Sequence, residues 1–172
     1  MIHFGDERRR FLYRAAGVAV MDGRVLVHQF ENDTFWCLPG GRVEMGEAAE
    51  EALAREMHEE LGCAVRVWRL LWINDNHFVH RGVVHHELGL YFHIELPEGC
   101  LQSSGEPWTG AELDGTKLYF RWQPVDALAE LDLRPSWLIE RLRSLPEHPE
   151  YVVNRDEGAG SSDATPPPPR TT

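Results

Sequence analysis

Six glutamates crowd residues 47–61, a stretch whose composition is typical of a helix. If each residue is placed about 100° further round the helix axis than the last, the glutamates separate into two groups. The apolar stripe that would face a core is formed by Ala49, Leu53, Met57 and Leu61. Glu60 falls within this stripe, Glu56 at its margin and Glu59 one step further round. A solvated, helix-favouring surface explains Glu47, Glu50 and Glu51. The candidates for chemistry are therefore Glu56, Glu59 and Glu60.

Three carboxylates at the edge of a core resist shared ionisation, because like charges repel and partial burial disfavours the charged form. Arg55 falls on the other side of the helix, at the spacing of a surface pair with Glu51, so it does not neutralise them simply. A divalent cation with several oxygen ligands would resolve the conflict, and Mg²⁺ suits hard carboxylate ligands best. The alternative, in which the helix is rotated and all three carboxylates are hydrated, stays open.

The segment Pro39-Gly40-Gly41 lies just upstream of this helix. A Gly-Gly pair lets the backbone turn tightly and bring a carbonyl close to an ion without obstruction by a side chain. Alone, such a pair usually marks a turn. Its spacing to the carboxylates is what makes it specific.

The same residues reproduce a known motif, the Nudix box, G-x5-E-x7-R-E-U-x-E-E-x-G-U. The match runs through Gly41, Glu47, Arg55-Glu56-Met57, Glu59-Glu60 and Gly62-Cys63, with every fixed letter present. Met57 and Cys63 stand where a larger aliphatic residue is usual. The chain therefore resembles the Nudix hydrolase family over the 23 residues of the box and, more loosely, over residues 13–145.

The resemblance implies an α+β fold, an α/β/α sandwich in which a mixed β-sheet lies between helices and the box forms a loop–helix–loop. The chain's own patterns agree with it. They predict strands over residues 13–21, 24–29, 65–73, 86–96 and 118–123, with Asp22-Gly23 as a type I′ hairpin turn. They also predict a helix over 47–61 that Gly62 ends, a polar loop over 97–117, and short helices over 125–131 and 136–145.

The resemblance also implies roles for the residues of the box. Glu56, Glu59 and Glu60 correspond to the family's catalytic, metal-binding carboxylates, and Gly40 offers its carbonyl to the same ion. The residues that brace the loop and orient the helix are Gly41, Glu47, Arg55 and Gly62. The implied cofactor is Mg²⁺, with Mn²⁺ as an alternative. The implied reaction is hydrolysis of a phosphoanhydride bond in a nucleoside diphosphate linked to another moiety, for which metal ions neutralise charge and lower the pKa of the attacking water.

A carboxylate must accept the proton of the attacking water, and the box does not fix which one. Glu112, in the polar loop before the last predicted strand, is the first candidate outside the helix. Glu87, on the polar face of its predicted strand, is the second. Either glutamate can instead be an ordinary surface residue, so the identity of the base stays open.

The substrate is expected to be a small nucleotide, whose class the sequence leaves open among nucleoside triphosphates, ADP-ribose and nucleotide sugars. Arg42 and Arg81 are candidates for phosphate contact on charge alone. Trp36 and Phe78 could stack on a base, although core packing explains most aromatic side chains. Where many relatives place a basic residue, at the end of the second strand, this chain has His28-Gln29, which leaves that phosphate contact in doubt.

Histidines and cysteines do not predict a second site. His85 and His86 are adjacent on a strand and face opposite sides, and no cysteine lies at zinc-ligand spacing nearby. We therefore expect surface or hydrogen-bonding histidines. The three cysteines are widely spaced and form no C-x-x-C motif, so neither a disulfide framework nor a zinc knuckle is expected.

Composition limits the remaining classes of function. Residues 1–154 are predicted to form one domain and residues 155–172, rich in Pro, Gly and Ser, a disordered tail. The formal net charge of −11 argues against non-specific nucleic-acid binding. No window approaches the roughly 18 apolar residues of a membrane span, and the N-terminus lacks a signal-peptide pattern, so a cytoplasmic protein is expected.

Two functions are compatible with these residues. The first is an active Mg²⁺-dependent pyrophosphohydrolase, which is favoured because all three carboxylates of the box are present. The second is a regulatory module that senses a nucleotide in the same pocket without turnover. Relatives are often dimers, which makes a homodimer an expectation, although the sequence marks no interface.

Overall fold

The structure, a computed structural model, describes residues 2–97, 99–100, 108–111 and 115–156. Its strands are β1 His3–Gly5, β2 Arg9–Met21, β3 Arg24–Phe30, β4 Gly40–Arg42, β5 Arg66–His80, β6 Val83–Glu95, β7 Trp108–Ala111, β8 Lys117–Pro124 and β9 Glu150–Arg155. The helices are α1 Ala49–Leu61, a 3₁₀ helix Val125–Glu130 and α2 Leu138–Arg141. None of the helices described is long and apolar enough to cross a membrane.

The strands form a mixed sheet in the order β7-β8-β3-β2-β6-β5-β9, with β1 and β4 also paired to β2. The pairs β2–β6 and β5–β9 are parallel and the other pairs are antiparallel. The β2–β3 connection is the expected type of hairpin turn, because Asp22 and Gly23 both have positive φ angles, 50° and 71°.

Helices cover both faces of this sheet, as the alternation along β2 requires. Ala15 and Ala19 pack with Leu53 and Met57 of α1 in one core. Ala16 and Val18 point the other way and pack in a second core. That second core contains Leu128 of the 3₁₀ helix together with Leu138 and Leu142. The predicted α+β sandwich is therefore confirmed.

A crevice opens between β2 and β3, because these strands pair only at Val20–Val25 and Met21–Arg24. The segment between β3 and α1 fills the crevice. Cys37 forms an isolated bridge with His28 of β3, and β4 pairs with residues 14–16 of β2. The residues that precede α1 are thus held against both strands.

The β5–β6 hairpin is longer than the sequence indicates. The predicted strands over 65–73 and 86–96 extend to His80 and begin at Val83, and the turn between them contains Arg81 and Gly82 with φ angles of 51° and 78°. Polar residues such as Asn74 and Asn76 have low strand propensity, but pairing with β6 on one side and β9 on the other overrides it.

Four further predictions about local structure need correction or fall on residues outside those described. The predicted loop over 97–117 contains β7, which pairs with β8. The strand β9 is not among the predicted elements, and its last residue, Arg155, lies one position beyond the predicted domain boundary. Cys63 and Cys100 are joined by a disulfide, which cysteine spacing did not indicate. Residues 157–172, most of the predicted tail, lie outside the described residues.

Candidate active site

Capping interactions define both ends of the helix α1. A carboxylate oxygen of Glu51 accepts a hydrogen bond from the backbone N–H of Ala48 at 2.9 Å, which satisfies a donor that the first turn leaves unpaired. Gly62 ends the helix in the left-handed conformation, with φ of 68°, and donates its N–H to the carbonyl of His58. Glu51 is therefore engaged in capping rather than in the surface pair predicted with Arg55.

Arg55 is the centre of an ion-pair network on α1. Its guanidinium donates to both carboxylate oxygens of Glu47, at 2.9 and 3.0 Å, and to the backbone carbonyl of Arg42 at 3.2 Å. These hydrogen bonds lower the pKa of Glu47. They also tie the loop before α1 to the middle of the helix. The geometry is that of the brace implied for Glu47 and Arg55.

The same guanidinium also contacts two of the three candidate carboxylates. Arg55 Nη1 lies 2.9 Å from Glu56 Oε1 and 3.3 Å from Glu59 Oε2. The prediction that Arg55 lies too far round the helix to neutralise them is therefore wrong. Glu59 is four residues beyond Arg55, the spacing at which side chains meet on one face of a helix, so their contact follows from the helix period itself.

Glu60 is the buried member of the trio, with 5% of its surface exposed. Among the described residues, neither of its carboxylate oxygens has a hydrogen-bond partner. Its nearest charged neighbour is His28 on β3, whose Nδ1 lies 3.6 Å from Oε2. Burial alone would lower the pKa of His28, but the adjacent Cys37 and Glu60 outweigh it and raise that pKa to about 10.

Gly40 and Gly41 leave room that other residues would fill. Gly40 has a φ of 137°, and a Cβ there would collide with the backbone of Ala15. A Cβ on Gly41 would overlap the carboxyl group of Glu56, so the glycine allows that carboxyl to lie directly against the backbone. Burial raises the pKa of Glu56, and the charges of Glu60 and Glu59 add to this effect against the opposing contact with Arg55.

The three carboxylates share one end of α1 but have different partners. Glu56 and Glu59 contact Arg55, whereas Glu60 points toward His28. Their carboxylate oxygens do not all lie within 4.8 Å of one another. Among the described residues, a group of three His, Cys, Asp or Glu side chains that meets this limit lies elsewhere, on β5 and β6. Gly40 lies on β4 opposite Ala16, beside this end of the helix.

A cavity of about 560 Å³ opens on the face of the sheet opposite α1, next to β4. This volume is in the range of small-molecule sites. Its lining includes four arginines, Arg14, Arg42, Arg81 and Arg134, and four acidic residues, Asp33, Glu87, Asp132 and Asp156. Aromatic side chains contribute to the walls, among them Phe78, whose ring stacks on His85 at a centroid distance of 4.8 Å.

Arg14 connects the cavity with the α1 site. It donates a hydrogen bond to the carbonyl of Leu38 at 3.0 Å. Burial alone would lower its pKa, but the charges of Cys37, Glu87 and Glu60 raise it. The guanidinium therefore remains charged between the cavity wall and the buried carboxylate of α1. A phosphate group placed here would meet a positive charge.

Most of the residues predicted to bind substrate line this cavity. Arg42, Arg81 and Phe78 do so, and Arg81 also pairs with Asp33 at 3.0 Å. Trp36 is not among the lining residues. It packs against the second core, with the guanidinium of Arg121 5.3 Å from its ring centroid, and its role in base stacking stays a prediction.

Of the two candidate bases, Glu112 lies outside the described residues. Glu87 lines the cavity and is 7% exposed, and Asn76 donates a hydrogen bond to it at 3.3 Å. The polar face of its strand is thus the buried face that borders the cavity. The candidate residues that the sequence did not place in a site are Arg14, Asn76, Tyr91 and His85, which line the cavity, and His28, which lies beside Glu60. Their only signal was polar character within strands.

Proteins of known family resemble this chain in sequence and in fold. A family model described as the NUDIX domain matches residues 12–144. The chain is 34% identical over 118 residues to the MutT-like protein of Streptomyces ambofaciens, a match that covers 68% of this chain and 73% of that protein. It is 40% identical over 60 residues to the ADP-ribose pyrophosphatase of Methanocaldococcus jannaschii, covering 33% of this chain and only 36% of that protein.

Among solved structures, the mutator MutT protein from Bacillus halodurans superposes with a TM-score of 0.57 at 19% identity, covering 86% of this chain and 92% of that one. At this identity the likeness concerns the fold alone. The chain belongs to the Nudix family. The resemblance drawn from the box is thereby confirmed, as is the prediction of an enzyme of the Nudix pyrophosphohydrolase class.

Proposed function

We propose that this chain hydrolyses a phosphoanhydride bond in a nucleoside diphosphate linked to another moiety, with a divalent cation held at the end of α1. The observation that carries the proposal is Glu60. A carboxylate that is buried without a hydrogen-bond partner is costly unless a ligand satisfies it. A hard cation such as Mg²⁺ matches the oxygen ligands that Glu60, Glu56 and Glu59 provide.

In this proposal the three glutamates and the carbonyl of Gly40 hold the cation, with Mg²⁺ as the resident ion and Mn²⁺ as a substitute. When bound, the cation neutralises the diphosphate and makes water a better nucleophile. Arg55 keeps Glu56 and Glu59 oriented through the contacts described above, and its bidentate bond with Glu47 fixes the loop. Glu87 borders the cavity and is the described candidate for accepting the proton.

The cavity is proposed to hold the nucleotide part of the substrate. Arg14 is half-buried at its wall and offers a fixed positive charge to a phosphate. The stacked pair of Phe78 and His85 offers an aromatic surface to a base or sugar. ADP-ribose, the substrate in the name of the Methanocaldococcus jannaschii relative, has the size and chemistry for such a site and is the first compound to test.

The proposal is tested by a screen for Mg²⁺-dependent phosphoanhydride hydrolysis over ADP-ribose, nucleotide sugars and nucleoside triphosphates. Glu59→Gln and Glu50→Gln form a matched pair, because both are exposed glutamates on α1 and only Glu59 belongs to the trio. We expect turnover in the parent, a loss of about 100-fold or more in Glu59→Gln, and little change in Glu50→Gln. Tight nucleotide binding without turnover in any of the proteins would favour the sensing module instead.

A further inference from the structure

A second group of candidate ligands lies on the face of the hairpin opposite the cavity. Asp75 and His77 are two residues apart on β5, so their side chains share a face, and β6 places His86 directly opposite His77. One ligand atom of each of these three residues lies within 4.8 Å of the other two. We call this group the Asp75 cluster. His85 and His86 face opposite sides, as predicted, whereas the pairing of β5 with β6 brings His86 next to His77 and Asp75.

The contacts of the cluster converge on a single atom. His77 Nε2 lies 2.9 Å and His86 Nε2 2.7 Å from Oδ1 of Asp75. The two imidazole rings stack, with their centroids 4.3 Å apart. Both Nε2 atoms therefore face the same carboxylate oxygen, so an ion that replaced the shared proton would have three ligand atoms close at hand.

The carboxylate of the cluster is also held from outside. Tyr151 on β9 donates its hydroxyl proton to Oδ2 of Asp75 at 2.8 Å. Together with the contact from His86 Nε2 to Oδ1, this hydrogen bond fixes the orientation of the Asp75 carboxyl group. A hydrogen-bond donor on the distal oxygen of a carboxylate is the kind of support that orients metal ligands. The strand β9 thereby stabilises the cluster on β5 and β6.

We propose that Asp75, His77 and His86 bind a transition-metal ion of the Zn²⁺ class, at a site separate from the cation site on α1. Two imidazoles and one carboxylate suit Zn²⁺, Co²⁺ or Ni²⁺, whereas Mg²⁺ prefers an all-oxygen set. Three protein ligands leave a coordination position open to water. The His86 side chain is 49% exposed, which gives an ion access from solvent. A bound ion would link β5 with β6 and, through Tyr151, with β9.

Calorimetric titration of the chelator-treated full chain with Zn²⁺ tests this proposal. Excess Mg²⁺ is included to occupy the carboxylates of α1, so that Zn²⁺ binding there does not contribute to the measured heat. We expect one equivalent of Zn²⁺ to bind, binding to be lost in the double variant His77→Gln/His86→Gln, and affinity to fall about 10-fold in Tyr151→Phe. His93→Gln, on the same strand β6 but outside the cluster, is the matched control and should bind as the parent does.

The proposal is overturned if the parent binds no Zn²⁺ under these conditions, or if the double variant binds it as tightly as the parent. Should the double variant fail to fold, nitrogen-15 chemical shifts of the imidazoles in the parent protein give the same information without substitution. Among the nine histidines of the chain, the Nε2 resonances of His77 and His86 should shift on addition of Zn²⁺. Shifts confined to other histidines would contradict the site.

Discussion

The helix side and the cavity side of the candidate active site balance their charges differently. On α1, the carboxylates of Glu47, Glu56 and Glu59 share the guanidinium of Arg55, and the buried Glu60 pairs with His28. The cavity wall, in contrast, carries equal numbers of arginines and acidic residues. An excess of buried negative charge requires a cation, whereas a balanced wall with aromatic surface suits binding of the rest of a substrate. We therefore expect substitutions of the trio on α1 to lower kcat and substitutions in the cavity, other than at Glu87, to raise KM.

The largest expected effect is that of Glu60→Gln. Removing one buried ligand of the proposed cation should lower kcat about 10³-fold. Because the buried pair with His28 is also lost, the free energy of unfolding should fall by about 1 to 3 kcal/mol. Steady-state kinetics and urea denaturation measure the two quantities. A variant that keeps its kcat but unfolds more easily would mean that Glu60 is structural only.

A smaller effect of a different kind is expected for Arg14→Gln in the cavity. Loss of its charge should raise KM about 10-fold and leave kcat within about threefold, because uniform binding of the phosphate is lost rather than transition-state stabilisation. Arg143→Gln, an exposed arginine beyond α2, serves as the control. A fall in kcat at unchanged KM would mean that Arg14 stabilises the transition state. The distinction between the helix side and the cavity side would then not hold.

The smallest expected effect concerns pH and Glu56. Its pKa is raised in the folded protein, so the folded state binds more protons than the unfolded state at pH values between the usual glutamate pKa and the raised one. The stability of the metal-free protein should therefore fall as the pH rises through this window. Glu56→Gln should lack that fall, as urea denaturation at a series of pH values would show. Equal pH profiles for both proteins would mean that the pKa of Glu56 is not raised in the folded state.

The helix side was largely predictable from the sequence, because its residues lie on one element with a fixed period. The spacing of Glu60 relative to Leu53 and Met57 gave its burial correctly. The contact of Arg55 with Glu59 was also predictable from their i, i+4 spacing, but Arg55 was assigned to Glu51, which lies at the same spacing in the opposite direction.

The cavity side was predictable only in part, because strands from distant parts of the chain build it. Alternation along β6 placed Glu87 on a face distinct from Phe92, but sequence alone did not show that this face is buried. The Asp75 cluster depends on the pairing of His77 with His86 and on β9, which was not among the predicted strands. Domain boundaries, a homodimer and a cytoplasmic location stay predictions.

Anomalous diffraction from crystals of the full chain soaked with Mn²⁺ tests the central claim most directly. Our account predicts a Mn²⁺ peak within bonding distance of Glu60 and at least one of Glu56 and Glu59, at the end of α1 beside Gly40. A peak confined to other sites, with Glu56 and Glu59 still on Arg55 and Glu60 still facing His28, would contradict it.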